Sequence, residues 1–256
     1  MKQAPHPSPL HNRLIAALPD PDQQVLLPHL EPVLHTVGET LYESSIPQQH
    51  AYFPADSIIS VQYVMEDGHS AETVSVGSEG VLGVSVFMGG TSAPTRAVVH
   101  RTGHAFRIRA PILIQAFNGR RGIHDLLLRY TQTLIAQMCQ TAVCNRHHCV
   151  LQQLSRWLLF SIDRVPDNHL VVTQEMIAGV LGVRREGITE AAGKLQKAGL
   201  IEYRRGHITV VDRAGLENQC CECYRVVRQE FDRLLPEPGR RLAHTRRRQM
   251  HHLHHG

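Results

Sequence analysis

Residues 173–211, "TQEMIAGVLGVRREGITEAAGKLQKAGLIEYRRGHITVV", hold two short helical patterns separated by a glycine, then two β-type runs around a basic turn. Thr173 can cap the first helix, and Glu175 places an acid in the first turn, where the helix dipole favours negative charge. Ile177, Ala178 and Leu181 give that helix one apolar stripe. Gly182 stands where a tight turn needs a left-handed residue, and Val183 fills the corner. A second helix is expected from about Arg184 to Ala198, with Ile188, Ala191, Ala192 and Leu195 inward and Gly199 as its stop. Ala178 and Ala191 are small enough to let the helices cross closely, and the interval between them fits a helix-turn-helix unit.

Next comes "LIEYRRGHITVVD", which reads as a β-hairpin carrying Arg204, Arg205 and His207 at its tip. A helix-turn-helix followed by a basic hairpin is a winged helix. The outer face of the second helix carries Arg185, Glu186, Thr189, Glu190 and Lys194, with Arg184 just before it. Arginine can fork onto guanine O6 and N7, and glutamate can accept from cytosine N4, so Arg185 and Glu186 suit base reading in a major groove. Arg204, Arg205, His207 and the capping Thr173 suit phosphate contacts that set the register. Cations at a helix start are locally unfavourable by a few tenths of a kcal/mol, a cost that the negative charge of double-stranded DNA would offset. The bland alternative is a helical hairpin with a solvated cationic cluster, and it leaves the basic hairpin without a purpose.

Upstream, from about residue 33 to 110, short β-type runs ("SIISVQYV", "AETVSV", "VLGVSVFM", "RAVVHR", "HAFRIRA") alternate with glycine-containing turns, the spacing of an antiparallel sandwich or barrel. The pattern changes at Ile123, where an uninterrupted run to Asn145 predicts one long helix. At roughly 35 Å it would outreach a small β-domain. A second copy of the chain is the expected partner, through Leu127, Tyr130, Leu134, Met138 and Thr141. The run "VLQQLSRWLLFSIDRV" predicts a further helix with Leu151, Leu154, Leu158 and Ile162 on one face. The expected organisation is an arm over 1–22, a β-domain over 23–118, a dimerisation helix and hinge over 119–148, a winged helix with a closing helix over 149–235, and a basic, histidine-rich tail over 236–256.

The 256 residues carry a net charge of +4, which permits a polyanionic partner without demanding one. No run is long and apolar enough to span a bilayer or to act as a secretory leader, so no membrane partner and a cytoplasmic place are expected. All six cysteines lie from Cys139 onward, which is unlike a disulfide framework and reads as reduced thiols. Cys220, Cys221 and Cys223 in "QCCECYR" are close together, but read as one helix they put Cys220 and Cys223 on the apolar stripe of Leu216, Val227, Phe231 and Leu234, favouring core packing over metal binding. His147, His148 and Cys149 are adjacent and do not share a helix face. No metal ligand and no cofactor are therefore expected, with metal- or thiol-responsiveness at these Cys and His residues as the alternative. Among catalytic motifs, neither a nucleophile elbow, a P-loop, a dinucleotide fingerprint nor a His-Glu metal motif occurs, and no enzyme is expected.

In the stretch from Thr173 onward the chain resembles the Crp/Fnr family of bacterial transcription regulators. The fold class implied is α+β: an antiparallel, cupin- or jelly-roll-like β-roll sensor, a long dimerisation helix and a C-terminal winged helix-turn-helix. The resemblance implies a homodimer on double-stranded DNA, with RNA polymerase as a further partner. That family reads bases with an Arg-Glu pair, matched by Arg185 and Glu186, and with an Arg four residues after the Glu, where this chain has Glu190. Its sensor holds a cyclic nucleotide through a Gly-Glu and an Arg-Ser or Arg-Thr before Ala. Here the effector pocket would comprise Gly80, Val81, Leu82, Thr95 and Arg96: Val81 replaces the Glu, and Thr95-Arg96 stand in reversed order before Ala97. A one-residue shift in a strand turns a side chain to the other face. These departures argue against cyclic AMP as the signal.

Overall fold

The computed structural model describes residues 7–165 and 167–235. The tail expected at 236–256 lies outside the described residues. Asn12 caps α1 (Arg13–Ala17) by accepting from the Leu14 and Ile15 amides, and its own amide donates to the Pro54 and Gly80 carbonyls at 2.9 and 2.8 Å. With α2 (Asp20–Leu26), this segment buries Leu14, Ile15, Leu18 and Leu26 in the first core. From Asn12 onward the expected arm is therefore part of the β-domain, held there by a buried polar cap and four apolar side chains.

The first domain continues through β1 (Glu31–His35), β2 (Thr40–Tyr42), β3 (His50–Pro54), β4 (Ile58–Val64), β5 (Ser70–Val76), α3 (Val84–Phe87), β6 (Arg96–Arg101) and β7 (Gly103–Arg109). The strands form two antiparallel sheets, ordered β2-β6-β4-β5 and β1-β7-β3. Phe53, Ile59, Val76, Phe106 and Ile108 belong to their shared core. The run "VLGVSVFM", expected as a strand, makes only an isolated bridge from Leu82 to Tyr52 and then becomes α3. Gly83, at φ 105°, breaks the extended run, and a Cβ there would crowd Ala51.

The helix α4 (Ala110–Gly119) leads into α5 (Arg121–His147), whose 27 residues span about 40 Å. Its inner face buries Ile123, Leu126, Leu127, Tyr130 and Leu134 in the β-roll core. The C-terminal domain comprises α6 (Val150–Ile162), β8 (His169–Val171), α7 (Gln174–Leu181), α8 (Arg185–Lys197), β9 (Ile201–Arg204), β10 (His207–Val210), α9 (Arg213–Gln219) and α10 (Glu222–Leu234). Its own core contains Leu154, Leu158, Leu159, Ile177, Ile188, Leu195, Ile208 and Leu216.

The two domains are clasped. Arg164, just past α6, is buried and donates from Nε to Glu79 Oε1 at 2.7 Å, from Nη1 to Ser75 Oγ at 2.7 Å and from Nη2 to the Ser75 carbonyl at 3.2 Å. Burial opposes its charge, yet the Glu79 carboxylate outweighs that and holds the guanidinium above its ordinary pKa. Gly77 makes room: a Cβ there would overlap the Arg164 stem. Gly182, in the turn between α7 and α8, faces Ala71 of β5.

Candidate nucleic-acid interface

The helix-turn-helix is set by local chemistry at each end. The Thr173 hydroxyl accepts from the Met176 amide at 3.2 Å and so caps α7. Gly182 adopts φ 64°, and its amide together with that of Val183 closes onto the Ala178 carbonyl. Ala178, at that crossing, is buried with Ile177 and Leu181 on α7 and with Ile188, Ala191, Ala192 and Leu195 on α8. α8 begins after Arg184, which supplies no side-chain cap, so its first amides are not satisfied by a capping side chain of the protein.

With that face buried, Arg184, Arg185, Glu186, Thr189, Glu190 and Lys194 are all exposed. Among the described residues no hydrogen bond or ion pair holds the side chain of Arg184, Arg185 or Glu186. The Thr189 hydroxyl is engaged, 2.7 Å from Gln174 Oε1 at the start of α7. Glu190 accepts from Lys194 Nζ at 2.7 Å across one helical turn, an exposed, solvent-screened pair. Lys194 is thereby occupied by the residue that departs from the family's base-reading pattern.

In the wing, β9 and β10 pair antiparallel with Arg204 opposite His207, leaving Arg205 and Gly206 as a two-residue turn. Both have positive φ, 50° and 82°, the conformation of a turn whose favoured residues are Asn, Asp and Gly. An arginine in that place costs about 1–2 kcal/mol relative to glycine, and its side chain is exposed beside Arg204. A third strand, β8, which the pattern around Leu170 did not announce, pairs with β10 and brings His169 against His207, Nε2 to Nδ1 at 3.1 Å. His207 is thus held by a neighbour and not only poised for a partner.

The face expected to dimerise is corrected. Leu127, Tyr130 and Leu134 point into the β-roll core, and Thr141 faces α6, where it accepts from Arg156 Nη1 at 3.0 Å. Only Met138 of that set is exposed. The reason is that the β-roll claims one stripe of α5, so the free stripe runs through Leu128, Gln132, Ile135, Cys139 and Ala142. Its spacing alternates four and three, and Ile135 is 52% exposed.

The expected effector residues are largely structural. Val81 and Leu82 are core side chains. Tyr130 packs so closely on Gly80 that a Cβ at position 80 would overlap its ring. Arg96 donates from Nε and Nη2 to Gln62 Oε1 at 3.3 and 3.2 Å within the sheet, and Thr95 Oγ1 lies 3.4 Å from the Tyr42 hydroxyl.

Residues 152–219 match the Crp-like helix-turn-helix domain family. Solved structures with the same fold include FixK2 from Bradyrhizobium japonicum, at 15% identity over 75% of this chain and 98% of that one, TM-score 0.63. A CRP-family transcriptional regulator from Thermus thermophilus matches at 16% identity over 73% and 95% respectively, TM-score 0.62. The c-di-GMP responsive global regulator CLP of Xanthomonas campestris matches at 15% identity over 75% and 99%, TM-score 0.57. No curated protein matches the sequence. Among the described residues no helix is long and apolar enough to cross a membrane.

Proposed function

We propose that the chain, whose residues 152–219 match the Crp-like helix-turn-helix domain and whose fold is shared with Crp/Fnr-type regulators, acts as a homodimeric, sequence-specific regulator of transcription. The observation that carries this reading is the exposed start of α8, where among the described residues no hydrogen bond or ion pair holds the side chain of Arg185 or Glu186. A wing whose tip keeps arginine in a left-handed turn adds to it. Arg185 and Glu186 read base edges; Arg204 and Arg205 hold phosphates.

Dimerisation runs along the free stripe of α5, through Leu128, Ile135 and the neighbouring Met138 and Val143, all exposed in the single chain. Two copies joined there would set their recognition helices about one DNA turn, roughly 34 Å, apart on a near-palindromic site. The β-roll is the input domain. Its signal differs from a cyclic nucleotide, a reading supported by Tyr130 against Gly80 and by Arg96 committed to Gln62. RNA polymerase is the expected downstream partner, and the cytoplasm the expected place.

Selection of bound duplexes from a randomised pool tests the proposal. The expected product is a two-fold symmetric consensus, bound by wild type and bound with relaxed sequence preference by Arg185→Ala. Recovery of sequences without symmetry or consensus would refute sequence-specific binding by a dimer.

A further inference from the structure

The cysteines expected to line one helix do not share a helix at all. α9 stops at Gln219, the backbone runs extended through Cys220 and Cys221, and Cys221 then stands at the N-cap of α10 with Cys223 in its first turn. Across from them α5 ends at His147. His148, extended at φ −111° and ψ 148°, leaves the helix while its neighbours His147 and Cys149 stay exposed. These two breaks bring Cys144, His148, Cys221 and Cys223 together from three places in the chain. Their donor atoms all lie within 4.8 Å of one another.

Two of the donor separations match a tetrahedral zinc site, and all lie within 4.8 Å. Zinc bonds of about 2.3 Å to sulfur and 2.0–2.1 Å to nitrogen put two sulfurs about 3.8 Å apart, and a sulfur about 3.6 Å from the nitrogen. Cys144 Sγ is 3.6 Å from Cys221 Sγ, and Cys223 Sγ is 3.4 Å from His148 Nδ1. All three thiols are buried and the His148 side chain is 15% exposed, so the donors face one another and not water.

The surroundings also fit a metal site. The other ring nitrogen of His148, Nε2, is 3.4 Å from Glu222 Oε2, the carboxylate–histidine arrangement that orients ligating imidazoles. Gln140 Nε2 donates to Cys223 Sγ at 3.0 Å. Three thiolates and a dication sum to one negative charge, and the buried Arg156, whose Nε has no hydrogen-bond partner, acts electrostatically on Cys144 and Cys220. Cysteines serving only as small apolar side chains would not draw an imidazole, an amide and a guanidinium around them.

We propose that Cys144, His148, Cys221 and Cys223 form a closed Cys3His site for Zn2+ that fastens α10 to the end of α5, at the junction between the long helix and the winged helix. Each thiol releases its proton to solvent as the metal enters, so occupancy weakens with acid. Closed four-ligand sites of this kind are structural. The bound metal fixes where α6 leaves the long helix, and with it the direction in which α8 faces. That last consequence rests on the DNA-binding reading; the site itself does not.

The test is elemental analysis of the full chain purified under reducing, zinc-replete conditions, followed by chelation and titration with Co2+. One zinc per chain is expected, and one equivalent of cobalt should develop thiolate charge-transfer absorption with the intense ligand-field bands of tetrahedral geometry. Cys144→Ser and Cys223→Ser should lose both, whereas Cys220→Ala, beside the site, should keep full stoichiometry. If a serine variant does not fold, the wild-type titration alone decides. Absence of stoichiometric metal, octahedral cobalt spectra, or equal loss in Cys220→Ala would overturn the proposal. Metal-free wild type that instead forms a Cys144–Cys221 disulfide on mild oxidation would replace it with a thiol pair. None of these readouts involves DNA, so a metal-binding protein without an operator would leave the site standing and refute only the regulator reading.

Discussion

Arg164→Met should uncouple the two domains. The substitution keeps an unbranched apolar stem but removes three hydrogen bonds and leaves the Glu79 carboxylate, with a side chain only 11% exposed, facing no cation. Breaking one partner of a buried pair costs about 3–5 kcal/mol. The expected loss is therefore about 3–5 kcal/mol. Trp157, the only tryptophan, lies on α6 and packs against the C-terminal core at the junction with β5 and α5. In denaturant, wild type should show coincident fluorescence and circular-dichroism transitions. In Arg164→Met the two should separate, and Arg164→Met with Glu79→Gln should recover most of the loss. A single variant that loses less than about 1 kcal/mol with coincident transitions, or a double variant no better than the single, would refute the clasp.

On DNA, Arg185→Ala should relax discrimination at one base pair by about 1–3 kcal/mol, measured by competition between operator and random duplex; equal losses on both would sink the base-reading role. Arg205→Asn should weaken all duplexes alike while raising the melting temperature, because Asn tolerates the left-handed turn better than Arg does; a drop in melting temperature would contradict the assigned turn. Ile135→Glu should give a monomer by sedimentation, since each dimer loses two apolar side chains worth about 1.5–3 kcal/mol apiece and gains two facing charges; an unchanged dimer would exclude the α5 stripe. Burial pushes His100 down to about 4, below its unfolded value near 6.5, so its neutral form stabilises the fold above pH 6.5 and that contribution is lost as pH falls toward 4. The window carries about 3 kcal/mol. Its neighbour Glu72, pushed up by burial, acts in the opposite direction, so the measure is the difference between wild type and His100→Gln. Parallel stability–pH curves for the two would rule the histidine out.

What could be read from sequence followed the strength of local signals. The helix-turn-helix is written in a cap, a left-handed glycine and a 3.6-residue stripe, all within residues 173–199, so it needs no distant partner to be recognised. The inner face of α5 was harder. Leu127, Tyr130 and Leu134 and the outer set Leu128, Ile135 and Met138 are both apolar and both helically spaced. Periodicity shows that two stripes exist but not which one the β-roll covers. The four metal-site donors were beyond local reading for a related reason: Cys144 and Cys221 are 77 positions apart. They meet only because α9 ends where a continuous 3.6-residue pattern predicts that it continues, and because α5 runs two residues past Asn145 before His148 turns away. The signal available was the break itself, two adjacent cysteines before an acid that can open a new helix.

The two stripes of α5 also constrain how an input could reach DNA. Tyr130 is wedged against Gly80, whose carbonyl accepts from Asn12, so any change in the β-roll near Gly80 bears directly on the inner stripe. The outer stripe, which flanks Tyr130 at Leu128 on one side and Ile135 on the other, is the proposed dimer seam. A rotation of α5 that relieved one contact would disturb the other, because a helix cannot turn one face without the opposite one. The C-terminal domain is tied to this arrangement at several further points, among them Arg164 on Glu79, Arg156 on Thr141 and the Cys144–His148–Cys221–Cys223 cluster at the end of α5. With these ties made, rotation of α5 carries α6 and α8 with it. Without the cluster, the end of α5 is held less firmly, while the turn after α7 stays against β5 through Gly182 and Ala71. The proposed metal cluster therefore strengthens the coupling between motion of the long helix and motion of the recognition helix. Removing it should leave dimerisation intact while weakening any dependence of DNA affinity on substitutions at Tyr130.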